Sequence, residues 1–243
     1  MHPPRFYCPM PLAAGQCVTL PDAVARHAVG ALRLRHGDAL VLFNGDGGEY
    51  HGTLEKADKH ARALLRDYRE PARESPLALT LVQGLSTAER MDFTLQKAVE
   101  LGVGAIQPVQ MRRSVVHLDA AKRERRRQHW QGVVAAACEQ CGRNHPPEVA
   151  PLVEFADWLR SGALTGHTAF ILDPGASQPL RALPPPTTPI LLIVGPEGGF
   201  DPAEQAAAIA AGCRPLRLGP RVLRTETAAM VAIAALQTLW GDL

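Results

Sequence analysis

The stretch Ile190-Leu191-Leu192-Ile193-Val194-Gly195-Pro196-Glu197-Gly198-Gly199-Phe200 is the most informative part of this sequence. Its first five residues form an unbroken apolar run, which is typical of a fully buried strand. Asp201-Pro202-Ala203-Glu204 then carries the signals of a helix start: a capping side chain, a proline at the first helical position and an early acid. Open α/β sheets bind ligands at such a loop, although an ordinary strand-to-helix turn shares the pattern.

A second segment near the C-terminus repeats this arrangement. Arg217-Leu218-Gly219-Pro220-Arg221-Val222-Leu223-Arg224 continues from a short strand predicted over 215–218 and contains a Gly-Pro turn. Thr225-Glu226-Thr227 then predicts a helix start with Thr225 as the cap. The helix to Trp240 is apolar almost all round, so we expect it to be buried on most sides. Two successive strand-loop-helix units could build one pocket.

The order of predicted elements divides the chain into two domains. Up to residue 69 short strands and turns dominate, including a hairpin over 39–54, and they predict a small β-barrel. A linker with two prolines and mixed charge follows at 69–76. Beyond it strands at 77–82, 105–109 and 169–172 alternate with helices at 86–102 and 119–141, which predicts an α/β domain with a parallel sheet. We expect domains over 1–72 and 73–243, and a capping box of Ser86 with Glu89 at the first of these helices.

Composition excludes several classes of protein. The chain has 243 residues, 46% of them hydrophobic, and a net charge of +2, with no apolar run of membrane-spanning length and no signal-peptide pattern. Five cysteines without framework spacing fit a reducing compartment, so we expect a cytoplasmic protein. Cys138-x-x-Cys141 is a single pair within a predicted helix, and we expect no metal. Phosphate-cradling motifs are missing, which argues against a nucleotide-hydrolysing enzyme.

The loops and several other segments together resemble a known family. GPEGGF followed by LGPRVLRTETAA resembles the signature of the SPOUT methyltransferases, and within them of the bacterial small-subunit ribosomal RNA (uracil-N3)-methyltransferases of the RsmE type. Further matching elements occur in the right order along the whole chain: Arg5-Phe6-Tyr7, residues 27–38, Gln96 to Val103, Arg112-Arg113-Ser114 and Glu139 to Arg143. Cys141 stands where the family more often has serine.

The resemblance implies the fold, the cofactor and the reaction. It implies an α/β SPOUT domain, with a mostly parallel sheet and a trefoil knot, and a PUA-like β-barrel at the N-terminus. It also implies transfer of a methyl group from S-adenosyl-L-methionine to N3 of a uridine in 16S ribosomal RNA. Such a reaction mostly needs positioning and a desolvated pocket, and N3 lies on the pairing edge, so the base must be unpaired or flipped out.

The same resemblance assigns residues to these roles. The cofactor pocket is expected to use Leu172, Gly195, Pro196, Glu197, Gly198, Leu218, Gly219 and Leu223. Arg224, Glu226 and Arg113 are the candidates for the uracil end. Arg224 or Arg113 could stabilise the oxyanion of the deprotonated base, while Glu226 or Glu197 could orient an arginine or accept the proton. Glu226 could equally be an ordinary acid at a helix N-terminus.

Basic residues suggest where RNA binds. The run Lys122-Arg123-Glu124-Arg125-Arg126-Arg127 could be a solvated helix face, but beside further arginines it favours contact with RNA phosphates. The candidate RNA contacts are Arg5, Arg26, Arg33, Arg112, Arg125 and Arg126. The resemblance also implies a homodimer with the C-terminal helix at its interface. Two alternatives stay open: a ribose 2′-O-methyltransferase of rRNA or tRNA, and a non-catalytic RNA-binding assembly factor.

Overall fold

The computed structural model describes residues 3–58 and 60–243, which group into two compact units. The first unit holds the residues up to Glu74 together with Ala135–Pro146, and the second holds Ser75–Val134 and Pro147–Leu243. No helix in these described ranges is both long enough and apolar enough to cross a membrane.

The first unit is built on a five-stranded mixed sheet. Its strands are β1 (Arg5–Tyr7), β2 (Cys17–Thr19), β3 (Ala39–Phe43), β4 (Glu49–Lys56) and β5 (Arg62–Arg69). They lie in the order β1-β3-β4-β5-β2, in which only β1 and β3 are parallel. The predicted hairpin is therefore β3 with β4. A short helix α1 (Asp22–Ala25) continues into a wider π-helical turn, and apolar side chains such as Phe6 and Leu54 form the core.

A buried carboxylate, Glu49, organises one side of this unit. Its side chain is 4% exposed and pairs with the guanidinium groups of Arg5 and Arg73, while His51 lies 3.0 Å away. The Arg5 guanidinium also donates to Asn144 Oδ1 at 2.5 Å and to the carbonyl of Gly142 at 3.1 Å. These contacts occupy Arg5 inside the unit and leave its side chain 13% exposed, and its expected role as an RNA contact stays a prediction.

The second unit is a parallel α/β sheet with helices around it. In chain order its elements are β6 (Leu79–Gly84), α2 (Ala88–Glu100), β7 (Ala105–Gln110), α3 (Ala120–Cys141, which ends in the first unit), β8 (Glu148–Val149), β9 (Val153–Glu154), α4 (Phe155–Arg160), β10 (Thr168–Leu172), β11 (Ile190–Val194), α5 (Pro202–Ala210), β12 (Arg214–Leu216) and α6 (Thr225–Trp240). The strand order is β12-β10-β11-β6-β7-β8, with β9 also on β7, and every pairing is parallel. The carboxyl ends of β10, β11, β12 and β6 therefore meet at one edge, which positions the site.

The helix starts only partly follow the predicted caps. Asp201 caps α5 by accepting a hydrogen bond from the N–H of Ala203 at 3.0 Å, as expected. The predicted cap Ser86 is wrong, since α2 begins after Thr87 and has no side-chain cap. The predicted cap Thr225 is also wrong, because Arg224 precedes the first helical residue and the Thr225 hydroxyl points into the protein.

Helix α6 is less completely buried than its composition predicts. Residues such as Ala229, Ile233 and Leu236 are buried, whereas Val231 and Leu239 are exposed by 40% and 47%. The buried Gln237 amide donates to the carbonyl of Leu101 at 2.9 Å, which ties α6 to the end of α2. An apolar face of α6 thus remains open in the single chain.

We predict that Glu49 makes the first unit sensitive to acid. Burial alone would raise the pKa of Glu49, but hydrogen bonds from Arg5 and His51 and the charges of Arg5 and Arg73 outweigh burial and lower the pKa to about 2. This stability is present above the ordinary value of 4.5 and is lost as the pH falls towards 2. Glu49→Gln should lower the free energy of unfolding near pH 7 by about 3 kcal/mol and remove that acid dependence.

Urea denaturation between pH 7 and pH 2 measures both effects. Glu70 is exposed, so the variant Glu70→Gln is the control and should behave as the wild type. An acid dependence that is equally steep in Glu49→Gln and wild type would contradict this role of Glu49.

Candidate active site

A cavity of about 340 Å³ lies at the carboxyl ends of β10, β11 and β12. Three loops surround it: the first residues of loop 173–179, the glycine-rich loop 195–201 and the loop 217–224. Arg90 of α2 and Thr225 and Ala228 of α6 also line it. This size falls within the range of small-molecule pockets, about 300–1,000 Å³. The position is the one where parallel sheets bind ligands.

The predicted cofactor residues converge on this cavity. Its lining includes Leu172, Gly195, Pro196, Glu197, Leu218, Gly219 and Leu223. Gly198 is not among the lining residues, because it packs the other way: a Cβ there would lie 2.7 Å from the carbonyl oxygen of Arg113. Gly199 has a φ of +68°, a conformation that favours glycine, and its N–H closes a turn onto the carbonyl of Pro196 at 2.9 Å.

The buried hydroxyl of Thr225 holds the glycine-rich loop in place. It donates to the carbonyl of Gly195 at 2.6 Å and accepts from Gln83 Nε2 at 3.0 Å. Gln83 lies on β6, Gly195 follows β11 and Thr225 begins α6, so three elements share one hydrogen-bond chain. The local sequence pattern predicts only helix capping for Thr225, and the position of this Thr directly beside the predicted loop residues is the one signal of its tertiary contact.

Arg90 is a second residue of the cavity wall that the sequence pattern does not single out. Its guanidinium Nη1 lies 3.6 Å from Glu197 Oε1, and its Nε lies 3.9 Å from Glu226 Oε1. Glu197 Oε1 also accepts the N–H of Thr87 at 2.8 Å. The remaining oxygen of each carboxylate, Oε2, is buried without a hydrogen-bond partner among the described residues. The cluster thus offers unused acceptors beside an arginine on the cavity wall.

The three candidates for the uracil end occupy different positions. Arg224 lies on the cavity wall, exposed, and its guanidinium has no polar partner within residues 3–58 and 60–243. Glu226 lies behind Arg90 and does not line the cavity. Arg113 is outside the lining too, with Nη1 3.5 Å from the carbonyl of Gly198 on the back of the loop. Of these three candidates only Arg224 lines the cavity. Glu226 does not line it but faces Arg90, which does.

A backbone hydrogen bond joins Arg112, in the segment after β7, to Glu204 of α5. Both oxygens of Glu204 accept the backbone N–H of Arg112, at 3.0 and 3.2 Å. Burial raises the pKa of Glu204, against the lowering effect of that hydrogen bond. The Arg112 side chain itself remains 69% exposed, near Asp201.

The remaining candidate RNA contacts lie on the surface of each unit. Arg26 and Arg33 are exposed in the first unit, and Arg125 is exposed on α3 in the second, where Arg126 is partly exposed. None of these four has an ion-pair partner in the part of the chain that the structure describes. The described residues also contain no cluster of His, Cys, Asp or Glu able to hold a metal ion.

Known RNA methyltransferases match this chain over most of its length. A sequence model for the RNA methyltransferase domain matches residues 73–237, and one for the RNA methyltransferase PUA domain matches residues 20–61. The ribosomal RNA small subunit methyltransferase E of Buchnera aphidicola (subspecies Schizaphis graminum) is 32% identical over 241 residues, 99% of this chain and 98% of the relative. The enzyme of that name from Bacillus subtilis is 29% identical, with 89% of each chain covered.

The chain belongs to the ribosomal RNA small subunit methyltransferase E family.

Solved structures agree with this membership. The family member from Neisseria gonorrhoeae, solved bound to S-adenosyl methionine, is 43% identical with a TM-score of 0.92, and the alignment covers 100% of both chains. A protein of Legionella pneumophila, solved with the same cofactor, is 38% identical with a TM-score of 0.95 over 100% of both chains. The predicted fold class, a SPOUT methyltransferase domain with a PUA-like β domain, is therefore confirmed.

We predict that Thr225 stabilises this methyltransferase through its hydroxyl. Thr225→Val keeps the shape of the side chain but leaves the Gly195 carbonyl without its donor and removes one of the two acceptors of the Gln83 amide, which should cost about 1–3 kcal/mol of unfolding free energy. Thr225→Ser retains the hydroxyl and should stay close to the wild type. Urea denaturation of the three proteins checks this, and a valine variant as stable as the serine variant would refute it.

Proposed function

We propose that this chain transfers a methyl group from S-adenosyl-L-methionine to N3 of one uridine in the 16S ribosomal RNA of the small subunit. The observation that carries the proposal is the cavity formed by the loops after β10, β11 and β12, in a chain 43% identical to a family member solved with that cofactor. The small-subunit substrate is taken from the names of the relatives. The N3 position rests on the resemblance of LRTETAA and of the N-terminal domain to the uracil-N3 type.

The residues around the cavity fit such a cofactor. Leu172, Leu218 and Leu223 give it apolar walls, while Gly195 and Gly199, which have no side chains, present their backbone to it. Glu197 Oε2 is buried and has no donor among the described residues, so a bound ligand carrying N–H or O–H groups would satisfy it. An apolar cavity with a few directed polar groups is typical of cofactor sites.

The bound cofactor would supply a methyl group on a sulfonium centre, which needs no further activation. The chain would supply position and charge. The uracil must present N3, which lies on its pairing edge, so the base has to leave any duplex. As the N3 proton leaves, negative charge spreads to the two flanking carbonyl oxygens, and a fixed cation beside them lowers the barrier.

Arg224 is the candidate for that cation, because it lies on the cavity wall without a competing partner in the described chain. Glu226 acts through Arg90, whose guanidinium it faces at 3.9 Å, which supports the role of orienting an arginine. Arg113 is the weaker candidate for the uracil end, because it lies outside the cavity lining with Nη1 3.5 Å from the carbonyl of Gly198.

We propose that each unit contributes to RNA binding, the division being 1–72 for the PUA-like domain and 73–243 for the methyltransferase domain. Arg26 and Arg33 in one, and Arg112, Arg125 and the partly exposed Arg126 in the other, are surface cations suited to phosphate contact. We propose that the protein acts in the cytoplasm, where a ribosomal RNA substrate would meet it.

We also propose a homodimer. The exposed side chains Val231 and Leu239 of α6 border an apolar cavity of about 750 Å³ that Leu180 and Leu218 also line. An exposed apolar patch of this kind is typical of protein interfaces, and two-fold dimers are the commonest oligomers. Light scattering at micromolar concentration measures the state, and a monomer would contradict the proposal.

Methyl transfer to small subunits that lack their modified uridine tests the main proposal. The subunits are incubated with the protein and isotope-labelled S-adenosyl-L-methionine, and the digested nucleosides are identified by mass spectrometry. N3-methyluridine at one position is expected. A ribose-methylated nucleoside would favour the 2′-O-methyltransferase alternative, and cofactor binding without any product from small subunits would exclude this substrate. Absence of both product and cofactor binding would favour a non-catalytic assembly factor.

We predict that Arg224→Ala separates catalysis from cofactor binding. Removing one donor to a developing oxyanion typically costs about 100- to 1,000-fold in turnover, whereas a cofactor held mainly by backbone groups should bind with nearly unchanged affinity. Single-turnover rates and calorimetric cofactor titration measure the two quantities. The exposed Arg214 on β12 gives a control, Arg214→Ala, that should retain full turnover. An equal loss of turnover and cofactor affinity would reassign Arg224 to the cofactor.

We predict that charge reversal of Arg125 and Arg126 weakens RNA binding and flattens its dependence on salt. Each phosphate contact contributes roughly 0.7–0.9 to the slope of log affinity against log salt, so Arg125→Glu with Arg126→Glu should reduce the slope by about 1.5. Filter binding from low to high salt measures it, with Arg160→Glu on α4 as control. An unchanged affinity and slope would remove α3 from the interface.

A further inference from the structure

We propose that Arg90 is a second oxyanion-binding residue, which holds one of the two uracil carbonyl oxygens beside N3 while the base loses its proton. This inference rests on the proposed function and adds a residue that the sequence analysis did not assign. The structural feature behind it is a guanidinium on the cavity wall that is held by charge and yet keeps its hydrogen-bond donors unused.

Arg90 is anchored from two sides. It lies in the first turn of α2, and carboxylates from two other elements face it: Glu197 from the glycine-rich loop at 3.6 Å and Glu226 from the start of α6 at 3.9 Å. Both carboxylates are largely buried, with side chains 13% and 14% exposed. An arginine between two such charges is restricted in position before any substrate arrives, which is the property that electrostatic catalysis requires.

The same distances leave its donors free. Hydrogen bonds to carboxylates are about 2.7–2.9 Å long, so contacts of 3.6 and 3.9 Å are electrostatic only. Arginine carries five N–H groups, and none of those on Arg90 makes a hydrogen bond to any residue in the described ranges. Since the side chain is only 37% exposed and lines the cavity, these donors face a space that a reactant can occupy.

Charge decides which kind of ligand group fits. Arg90 is cationic and planar, so it binds an anionic or strongly polarised oxygen, and uracil gains such oxygens when N3 is deprotonated. The proton leaves N3 for solvent or a protein acceptor, and the electron pair that remains on N3 forms the new bond to the methyl carbon. The donor sulfur keeps the pair from the bond that breaks, so atoms and charge balance.

Two arginines would then share the charge of the uracil anion. N3 lies between two carbonyl groups, and Arg224 is the cation proposed for one of them. Arg90 comes from α2, an element distinct from the one that carries Arg224, and can take the other. The other charged groups around Arg90 are Glu197 and Glu226, with Asp173 and Arg221 elsewhere on the cavity wall.

The test compares wild type, Arg90→Gln and Arg90→Lys in single-turnover methylation as a function of pH, with uridine or 5-fluorouridine in the RNA of reconstituted small subunits. Calorimetric titration of the cofactor shows whether each variant is folded and able to bind it. Arg160→Gln removes an exposed arginine of α4 outside the site and is the control. Methylated nucleosides are identified by mass spectrometry in every case.

Arg90→Gln should lower the rate with uridine by about 100- to 1,000-fold while cofactor affinity changes by less than about threefold. Without the cation N3 holds its proton more tightly, so the rise of rate with pH should move to higher pH. Fluorine makes N3–H more acidic, so 5-fluorouridine should recover much of the loss. Arg90→Lys, which keeps the charge without the planar donors, should lie between wild type and Arg90→Gln.

Three results would overturn the inference while leaving the proposed function intact: an unchanged rate in Arg90→Gln, an equal loss for both bases with the pH profile unmoved, or a loss of cofactor affinity that matches the loss of rate. The last would assign Arg90 to the carboxylate of the cofactor. If the wild type itself makes no N3-methyluridine, the proposed function fails, and the inference is overturned with it.

Discussion

The active-site region of this methyltransferase depends on one buried hydroxyl. Thr225 joins the carbonyl of Gly195 to the side-chain amide of Gln83, and through them it joins the loop after β11, the start of α6 and strand β6. Buried polar groups must find partners, so this arrangement of three elements is costly to disturb. It holds the glycine-rich loop in the position where that loop lines the cavity, and the positions of the charged groups around the cavity depend on it.

The electrostatics of the site have the same origin. Once the loop after β11 and the start of α6 are held together, Glu197 and Glu226 lie on either side of Arg90. Neither carboxylate approaches the guanidinium closely enough for a hydrogen bond, so the two charges hold Arg90 in position and leave its N–H donors unpaired among the described residues. This half-buried cation with free donors and the exposed Arg224 both line the cavity, which is the basis of the proposal that two arginines share the negative charge of the methyl acceptor.

The sequence contained the local chemistry but not the strand order. The apolar run of β11 and the Asp201 cap follow from local rules and were predicted correctly. Arg90 was not found, because only the sheet order β11-β6 brings the start of α2 beside Glu197, and no periodicity shows which strands are neighbours. Thr225 was misassigned because capping is a local preference, whereas its hydroxyl serves a tertiary contact with Gln83. The pairing of Arg5 with the buried Glu49 was likewise not found, because no local pattern shows a partner 44 residues away.

A crystal structure with S-adenosyl-L-homocysteine, the demethylated form of the cofactor, tests the central claim most directly. We expect the molecule in the cavity between loops 195–201 and 217–224, hydrogen-bonded mainly to their backbone groups, with the sulfur turned towards Arg90 and Arg224. Binding at another place, or no occupancy of this cavity at saturating concentration, would contradict the account.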